Sequence, residues 1–354
     1  KEEFGDERLS MLALFISPKA RFDDVVAQAR ELFPETDVTA CTTAGEISNI
    51  GYDEGKIIAV GFPASGFVTT SILIEDIQNL DPLTLIDRIT VERLRLQERN
   101  PDMVSSFAFL VVDGLSLAED TLTATISPAL RDMPLFGGSA GDGTDFAHTR
   151  IALNGDARES AAVLTLLRCK YKTQVFSLDH LVPSEKQMVV TEADPSRRIV
   201  KTINAEPAGR EYARIVGKDP EQLDQFTFAS HPVVVHIGAA HHVRAIQQIN
   251  EAGELVFFSA IDEGMVLTVA APQDMVAHLR SKMADLSTDG KPAHILGFDC
   301  ILRRIEAEQR QMSRGLSDIM SDYNVTGFST YGEQIGPLHV NHTMSGIAIY
   351  APEN

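Results

Sequence analysis

The sequence is poor in cysteine and in long apolar runs. Its three cysteines, Cys41, Cys169 and Cys300, lie far apart. An odd count without a CxxC pair provides neither a disulfide framework nor a thiolate zinc site. No apolar run approaches the roughly 20 residues that span a bilayer, and the opening segment KEEFGDERLS lacks the apolar core of a signal peptide. We therefore expect a cytoplasmic protein.

Basic residues are also scarce. There are 31 of them against 50 acidic residues, which gives a formal net charge of −19. A surface this acidic repels phosphate backbones and anionic lipids, so nucleic acid and membrane are not expected as partners. The charge favours solubility, and it is compatible with a basic protein partner.

A chain of 354 residues is long enough for two hydrophobic cores. Short apolar runs such as MLALFIS (11–17), FAFLVV (107–112) and VVVHIGAA (233–240) predict buried strands. Helical periodicities alternate with them, for example over 22–33 and 273–286. The pattern predicts an α/β protein of mixed α+β type: two similar domains, 1–203 and 204–354, of mixed sheets flanked by helices, for which an αββα layering is one arrangement.

Three local predictions can be compared directly with a structure. The runs IIAVGF (57–62) and FVTTSILI (67–74) are predicted to form an antiparallel hairpin. A single long helix is predicted over 301–320, with Arg303, Arg310 and Arg314 on one stripe. The order strand, helix, strand and Gly-plus-carboxylate turn occurs near 107–142 and again near 294–333, as in an internal duplication or in ordinary βαβ repetition.

Four polar segments follow predicted strands, where α/β proteins usually place ligands. Their sequences are CTTAGEI, GGSAGD, DCILR and YGEQIGPLHVNHT. Their candidate binding residues are Thr43 and Glu46; Gly137, Gly138, Ser139 and Asp142; Asp299, Cys300 and Arg303; and Tyr331, Glu333, His339, Asn341, His342 and Thr343.

These segments do not match common catalytic or nucleotide-binding motifs. GGSAGD lacks the GxGxxG spacing with a following helix, and it has no P-loop lysine. Ser139 lacks the GxSxG frame of a hydrolase nucleophile. The carboxylates at these turns are equally explained as turn or helix caps. We therefore expect a protein that is not an enzyme.

Taken together, the four segments resemble the FIST N and FIST C domain pair in order and spacing, over nearly the whole chain. Members of that family are sensory domains of bacterial signalling systems, which implies a small-ligand sensor. The 354 residues contain no kinase, cyclase or F-box segment, and in this they most resemble the haem-binding nitric-oxide-sensing branch (NosP). That resemblance implies haem b, nitric oxide, and a partner histidine kinase of a two-component system or a cyclic-di-GMP enzyme.

A haem site needs an axial ligand, usually histidine, in an apolar slot. His339 is the predicted iron ligand, because its position fits the family pattern, whereas the pattern favours Gln where His342 stands. His342, Tyr331 and Cys300 are the other candidate ligands. If 339–343 is extended, His339 and Asn341 share one face and His342 takes the other. The alternative for either histidine is a structural hydrogen bond to a backbone carbonyl.

Other interpretations remain open. Cys300 is either a buried small hydrophobe or a reactive thiol whose pKa Arg303 lowers. Arg303 is either solvated or bound to a ligand carboxylate or haem propionate. The cluster HIGAAHH (236–242) is more consistent with structural histidines than with a metal site. Alternatives to the haem sensor are a sensor of a polar metabolite such as an amino acid, clamped by Arg303 and Glu333, and a scaffold without ligand. A homodimer is compatible with all three.

Overall fold

The protein is built from a repeated strand and helix unit and one inserted antiparallel subdomain. The computed structural model describes Gly5, residues 7–237 and residues 240–352. Its elements belong to the mixed α/β class, as the sequence predicts, and they form four sheets.

Unit 1 contains β1 (Leu9–Ile16), α1 (Phe22–Leu32), β2 (Asp37–Thr42), β3 (Glu46–Ser48), β4 (Gly51–Asp53) and β5 (Ile57–Pro63). It is followed by β6 (Phe67–Ile74) and α2 (Pro82–Arg99). Unit 2 contains β7 (Ser105–Val112), α3 (Glu119–Leu130), β8 (Leu135–Ser139), β9 (Ile151–Leu153), β10 (Asp156–Arg158) and β11 (Ala162–Cys169). It is followed by β12 (Thr173–Leu178).

The inserted subdomain contains β13 (Leu181–Asp194), β14 (Ile199–Ile203), β15 (Glu206–Pro207), α4 (Ala208–Val216), α5 (Gln225–Ser230), β16 (Val233–Ile237), β17 (Ala240–Arg244), β18 (Ile246–Ile249), β19 (Leu255–Phe257) and β20 (Val266–Pro272). After α6 (Met275–Leu286), unit 3 contains β21 (His294–Cys300), α7 (Ile301–Gln309), α8 (Ser313–Asp322), β22 (Val325–Thr330), β23 (Glu333–Ile335), β24 (Leu338–Val340) and β25 (Met344–Ile349). Short 3-10 turns cover Ile77–Asn79, Pro195–Arg197 and Pro220–Gln222.

The three units share one topology. In each, two parallel strands are joined through helix, and the last strand returns antiparallel to the first: β5 on β1, β11 on β7 and β25 on β21. The hairpin between them leaves its own unit. The β3–β4 hairpin joins β22, β23–β24 joins β8, and β9–β10 joins β2. The units therefore exchange hairpins in a closed cycle.

The connecting strands complete the same pattern. β6, which follows unit 1, pairs with β11 of unit 2, and β12, which follows unit 2, pairs with β25 of unit 3. The Gly-plus-carboxylate repetition near 107–142 and 294–333 is thus present as a structural repeat. Unit 1 is a third copy that the sequence analysis did not recognise.

An aromatic core lies where the three sheets meet. It includes Phe15 of unit 1, Phe109 and Phe136 of unit 2, and Phe298 and Phe328 of unit 3, all fully buried. The ring centroids of Phe15 and Phe328 are 4.7 Å apart, and those of Phe109 and Phe298 are 5.6 Å apart. Each large ring buries much apolar area, so this cluster holds the units together.

The inserted subdomain has its own antiparallel sheet and core. Its ends lie side by side, because Leu181 at the start of β13 pairs with Pro272 at the end of β20. Its apolar cluster, which includes Tyr212, Phe228 and Phe257, is separate from the aromatic core. Across the described residues, no helix has both the length and the apolar character needed to cross a membrane.

Two local predictions were wrong. The predicted hairpin over 57–74 does not form, because β5 pairs with β1 and β6 with β11 in a different sheet. The predicted helix over 301–320 is broken. Gln311 has φ +56°, and the amides of Gln311 and Met312 bond to the carbonyls of Glu308 (3.1 Å) and Ala307 (2.7 Å). This pair of bonds is a Schellman ending, and it places Arg314 on a different helix from Arg303.

Candidate functional site

A short turn of common pattern follows the second parallel strand of each unit. The three turns are Thr43–Glu46, Ser139–Asp142 and Thr330–Glu333, each with Ser or Thr first, Gly third and a carboxylate fourth. In turns 1 and 3 the threonine hydroxyl bonds to the carboxylate of its own turn: Thr43 to Glu46 at 2.5 Å, and Thr330 to Glu333. The hydroxyl thereby fixes each carboxylate at the start of the exported hairpin.

Backbone hydrogen bonds join the three turns in a ring. The amide of Ala44 donates to Ser329 (2.9 Å), and that of Ser139 donates to Gly332 (2.8 Å). The amide of Gly141 donates to Thr42 (3.2 Å). A Cβ on Gly141 would lie 2.8 Å from the Ala44 side chain and 3.0 Å from the Tyr331 ring. Turn 2 therefore requires glycine, and the segments CTTAGEI, GGSAGD and YGEQ meet at one place.

Tyr331 and Asp142 connect turns 2 and 3. The Tyr331 hydroxyl donates to the Asp142 carboxylate, which also accepts from the amides of Ala147 (2.9 Å) and His148 (2.8 Å). Burial alone would raise the pKa of Asp142, but these hydrogen bonds hold it below its ordinary value. Asp142 is therefore an ionised structural acceptor.

Glu333, the last residue of turn 3, is fully buried. Its two oxygens lie within hydrogen-bond distance of the hydroxyls of Thr330 and Thr343, the latter at 2.6 Å. Burial raises the pKa of Glu333 to about 8, the threonine bonds oppose the shift, and the Asp299 charge adds to it. This carboxyl group holds its proton at neutral pH.

A second buried network extends from Asp299 through Arg303. The Arg303 Nε donates to Asp299 at 2.6 Å, and the Tyr52 hydroxyl of unit 1 donates to the other Asp299 oxygen. The Arg303 Nη1 lies 2.8 Å from His180 Nδ1. Arg303 is thus already bound by protein partners and only 1% exposed, so it does not clamp a ligand carboxylate or a haem propionate as the sequence suggested.

His180, Glu306 and His342 are buried together in a pattern that resembles a metal centre. The Nε2 atoms of His180 and His342 lie 2.9 Å and 3.0 Å from the same Glu306 oxygen. Arginine only donates hydrogen bonds, so His180 Nδ1 must accept from Arg303. The proton of neutral His180 is then on Nε2 and points at Glu306, where a metal ion would need a lone pair.

The charges around this trio also oppose a cation. Arg303 contacts His180, and Arg310 Nε lies 3.2 Å from the free oxygen of Glu306. Burial lowers the pKa of His180 to about 4, with Arg303 contributing in the same direction. Burial would raise the pKa of Glu306, but the two histidine bonds keep it well below its ordinary value. The trio therefore fits a charge network of one carboxylate and two ring N–H donors, not a metal site.

His339, Gln334 and Asn341 form a third polar group beside turn 3, and each retains one buried atom without a hydrogen-bond partner: His339 Nε2, Gln334 Oε1 and Asn341 Oδ1. Gln334 Nε2 lies 3.2 Å from His339 Nδ1. A Cβ on Gly332 would lie 2.8 Å from His339 Nε2 and 2.7 Å from Asn341 Nδ2. Both side chains therefore border the same space, as the predicted shared face of residues 339 and 341 requires.

Arg244 of the inserted subdomain approaches this group. Its Nη1 contacts the His339 carbonyl at 3.4 Å, and its Nε is buried without a partner. Among the residues that the structure describes, no carboxylate lies within ion-pair distance of its guanidinium. Arg244 also lines a cavity of about 530 Å³ with Gln187, Val235, His236, Met265 and Val266.

The remaining candidate binding residues from the sequence take part in the packing and hydrogen bonding of the turns. Burial raises the pKa of the Cys300 thiol well above its ordinary value, and Glu333 adds to the effect, so the reactive thiolate was a wrong interpretation. Gly138 lies in β8 opposite Glu333, where a Cβ would meet the Thr330 methyl group at 2.7 Å. Thr43 binds Glu46, as described above. These residues build the ring of turns.

The two histidines of 339–342 are both enclosed by polar groups. His342 has φ +56° and points away from His339 toward Glu306. An uncommon backbone conformation of this kind persists only where the surroundings enforce it. His339 and His342 are 2% and 0% exposed, and their ring nitrogens lie against Gln334 and Glu306, respectively. Their surroundings do not fit axial ligation of haem.

A different cavity, of about 490 Å³, is lined mostly by apolar groups, including Phe62, Phe67 and Leu296, and also contains His294. It lies between β5 and β21. His236 and His241 face each other across the β16–β17 pair with ring centroids 6.4 Å apart. Residues 238 and 239 of that cluster lie outside the described part of the chain.

Sequence reasoning missed His180, Glu306, Gln334 and Arg244. Glu306 and His180 are far apart in sequence, and no local pattern marks either of them. Gln334 could have been recognised from the sequence, since it follows Glu333 in the strand that begins directly after the glycine turn. Arg244 lies two residues after the histidine cluster, which was considered for metal binding instead.

The repeated units and buried polar turns define a mixed α/β protein. Family models for the FIST N domain and the FIST C domain match residues 10–206 and 208–336. The chain therefore belongs to the FIST family. FIST domains are sensory domains of signal-transduction proteins, which supports a ligand-binding sensor role. No curated protein matches the chain.

Proposed function

We propose that this protein senses a small metabolite that carries both a carboxylate and an amine, of which an amino acid is the simplest case. The observation that carries the proposal is the set of buried polar atoms without partners beside turn 3. Such atoms cost free energy unless something bonds to them. A ligand that supplies the missing partners would bind there.

The chemistry of these atoms indicates which ligand fits. Because Gln334 Nε2 faces His339 Nδ1, the neutral His339 ring carries its proton on Nε2 and offers a donor. Burial lowers the pKa of His339 and so favours the neutral ring. Gln334 Oε1 and Asn341 Oδ1 are acceptors. A ligand carboxylate would bind to Arg244 and His339, and a ligand ammonium group to the two amide oxygens.

Arg244 takes the role that the sequence analysis gave to Arg303. It belongs to the inserted subdomain, whereas Gln334, His339 and Asn341 belong to unit 3. A ligand that contacts both would change how strongly the subdomain is held against the units. In this proposal the change is read by a partner kinase or cyclic-di-GMP enzyme.

A thermal-shift screen of amino acids and small dicarboxylates tests the proposal, because a ligand that binds the native state must raise its stability. Arg244→Gln should weaken binding of a hit by at least tenfold, since a charge-assisted pair is lost. Arg210→Gln, on an exposed position of α4, is the matched control and should leave affinity unchanged. If no compound in the screen stabilises the protein, the amino-acid proposal fails and a scaffold role gains support.

A haem-based nitric oxide sensor is the second candidate, and the apolar cavity with His294 favours it. His294 would hold the iron there, while Phe62, Phe67 and Leu296 would contact the macrocycle, and haem would supply nitric oxide binding. Titration with haemin should give a Soret band that is lost in His294→Ala and retained in His339→Ala. Loss of the band only in His339→Ala would return the ligand to turn 3, and no band at all would exclude haem.

A further inference from the structure

Two arginines line a small cavity on the outer side of unit 2, away from the ring of turns. The cavity has a volume of about 180 Å³ and is lined by Arg93, Gln97, Ser106, Asp132, Met133 and Arg168. Among the described residues, neither arginine has a carboxylate within ion-pair distance. In a chain with 50 acidic residues, two neighbouring guanidinium groups without a carboxylate partner are unexpected.

Arg93 occupies a core position of its helix. The buried stripe of α2 is formed by Leu85, Ile89, Arg93 and Leu96, so an aliphatic side chain is expected where the arginine stands. Arg93 is only 7% exposed. Its Nε donates to the Ala129 carbonyl in the last turn of α3 at 2.9 Å. That bond uses one donor group and leaves the two terminal amino groups without a partner among the residues that the structure describes.

Arg168 reaches the cavity from the sheet. It lies on β11 directly opposite Ser106 of β7, which places a guanidinium and a hydroxyl side by side. Its Nη2 donates to the Met103 carbonyl at 2.7 Å, whereas its Nε is buried without a partner. The helix and the sheet thus direct one arginine each to the same cavity.

From these two guanidinium groups and the cavity that they share, we infer a binding site for a tetrahedral oxyanion of the phosphate type. Arginine presents several N–H donors in a planar fork that matches phosphate oxygens. Ser106 and Gln97 add neutral donors. Asp132, at the exposed rim, is the one opposing charge, and it leaves the lining with one net positive charge.

The cavity volume limits the ligand. Pockets for drug-sized molecules and cofactors usually exceed about 300 Å³, so a site of 180 Å³ accommodates the anionic group but not a nucleoside attached to it. The source is either free inorganic phosphate or the phosphate group of a larger compound whose remainder lies outside. Phosphoserine and ADP, titrated beside inorganic phosphate, distinguish these sources: affinity at least equal to that of phosphate indicates an attached group.

Isothermal titration of the full chain with inorganic phosphate, in a low-salt buffer without other oxyanions, tests the site. One saturable site is expected. Arg168→Gln should weaken binding by at least tenfold, because one charged donor group is lost. Arg93→Lys keeps the charge but not the planar fork, and it should also weaken binding. Asp132→Asn should tighten binding, because it removes the opposing charge.

Arg99→Gln is the matched control, since Arg99 is exposed at the end of the same helix. It should change affinity by less than about twofold. Circular dichroism should show that every variant keeps the folded spectrum. The inference is overturned if the unaltered protein shows no saturable binding up to about 10 mM phosphate. It is also overturned if Arg99→Gln weakens binding as much as Arg168→Gln, or if Asp132→Asn weakens it.

Discussion

The partners of individual buried charged residues show whether those residues stabilise the fold or are available to a ligand. Arg303 was an attractive ligand-binding residue in the sequence, because it follows a strand in a polar segment. In the folded chain it links Asp299 and Tyr52 to His180. Its role is therefore structural. If it were removed, its buried partners would be left without their hydrogen bonds and counter-ion.

Arg303→Met should lower the free energy of unfolding by about 3–5 kcal/mol, the usual cost of removing one partner from a buried ion pair. Asp299 would remain buried without its counter-ion. Arg314→Met is the control, because Arg314 is exposed on α8, and its effect should stay within about 0.5 kcal/mol. Urea unfolding of both variants measures the difference. Equal effects would mean that Arg303 is not part of a tightly coupled network.

Glu333 predicts a specific loss of stability as the pH rises from about 4.5 to about 8. Its pKa is about 8 in the folded protein and near 4.5 when unfolded, so the folded state retains a proton that the unfolded state releases. The stabilisation is complete below pH 4.5 and disappears as the pH rises through 8. His180, with a folded pKa of about 4 against 6.5, acts in the opposite direction, but only below about pH 6.5.

The interval between pH 6.5 and 8 therefore isolates Glu333. The free energy of unfolding should fall across it in the unaltered protein, and this slope should be smaller in Glu333→Gln, whose side chain stays neutral. Urea titrations at several pH values measure it. An unchanged slope in the variant would assign the proton release to another group.

At the scale of elements, local sequence patterns predicted most strands and helices but not their partners. The runs 57–62 and 67–74 both form strands, yet the two strands belong to different sheets. Periodicity is identical for a strand that pairs with its neighbour and one that crosses to another unit. The helix break at Gln311 was missed because the left-handed residue of a Schellman ending is usually glycine.

The candidate site was predictable in part for the same reason. The carboxylates and hydroxyls of the three turns lie in short local patterns, so CTTAGEI, GGSAGD and YGEQ marked them. The partners of Arg303 do not lie in any such local pattern. His180 and Glu306 come from different elements, and only the fold brings them to the same place.

Gly327 is a position in a strand where substitution is expected to be poorly tolerated. It lies in β22 with φ +156°, and a Cβ there would overlap the carbonyl group of Gly297 on the parallel strand β21. Gly327→Ala should destabilise the protein by about 3 kcal/mol or more, since it combines an unfavourable backbone angle with a backbone clash. Gly336→Ala, at φ +54° in open space, should cost only about 1–2 kcal/mol. Thermal unfolding of the two variants compares strain alone with strain plus clash.

At the scale of the whole molecule, the exchange of hairpins makes the units interdependent. The N-terminal family match, residues 10–206, contains units 1 and 2 and the first strands of the inserted subdomain. The partner of its β3–β4 hairpin is β22, that of β12 is β25, and β8 needs β23. Most of the ring contacts in the aromatic core also involve Phe298 or Phe328 of unit 3.

Residues 1–206 should therefore fail to fold alone, although a family domain covers nearly all of them. Sheet edges would lose their partners and the aromatic core would be open on one side, which predicts a broad, non-cooperative thermal transition and aggregation. The full chain should unfold in a transition that the three units share. Circular dichroism and proton NMR of both proteins give the comparison. Dispersed amide signals and a sharp transition in the 1–206 fragment would mean that the first two units are self-sufficient, and that the exchanged hairpins contribute little to stability.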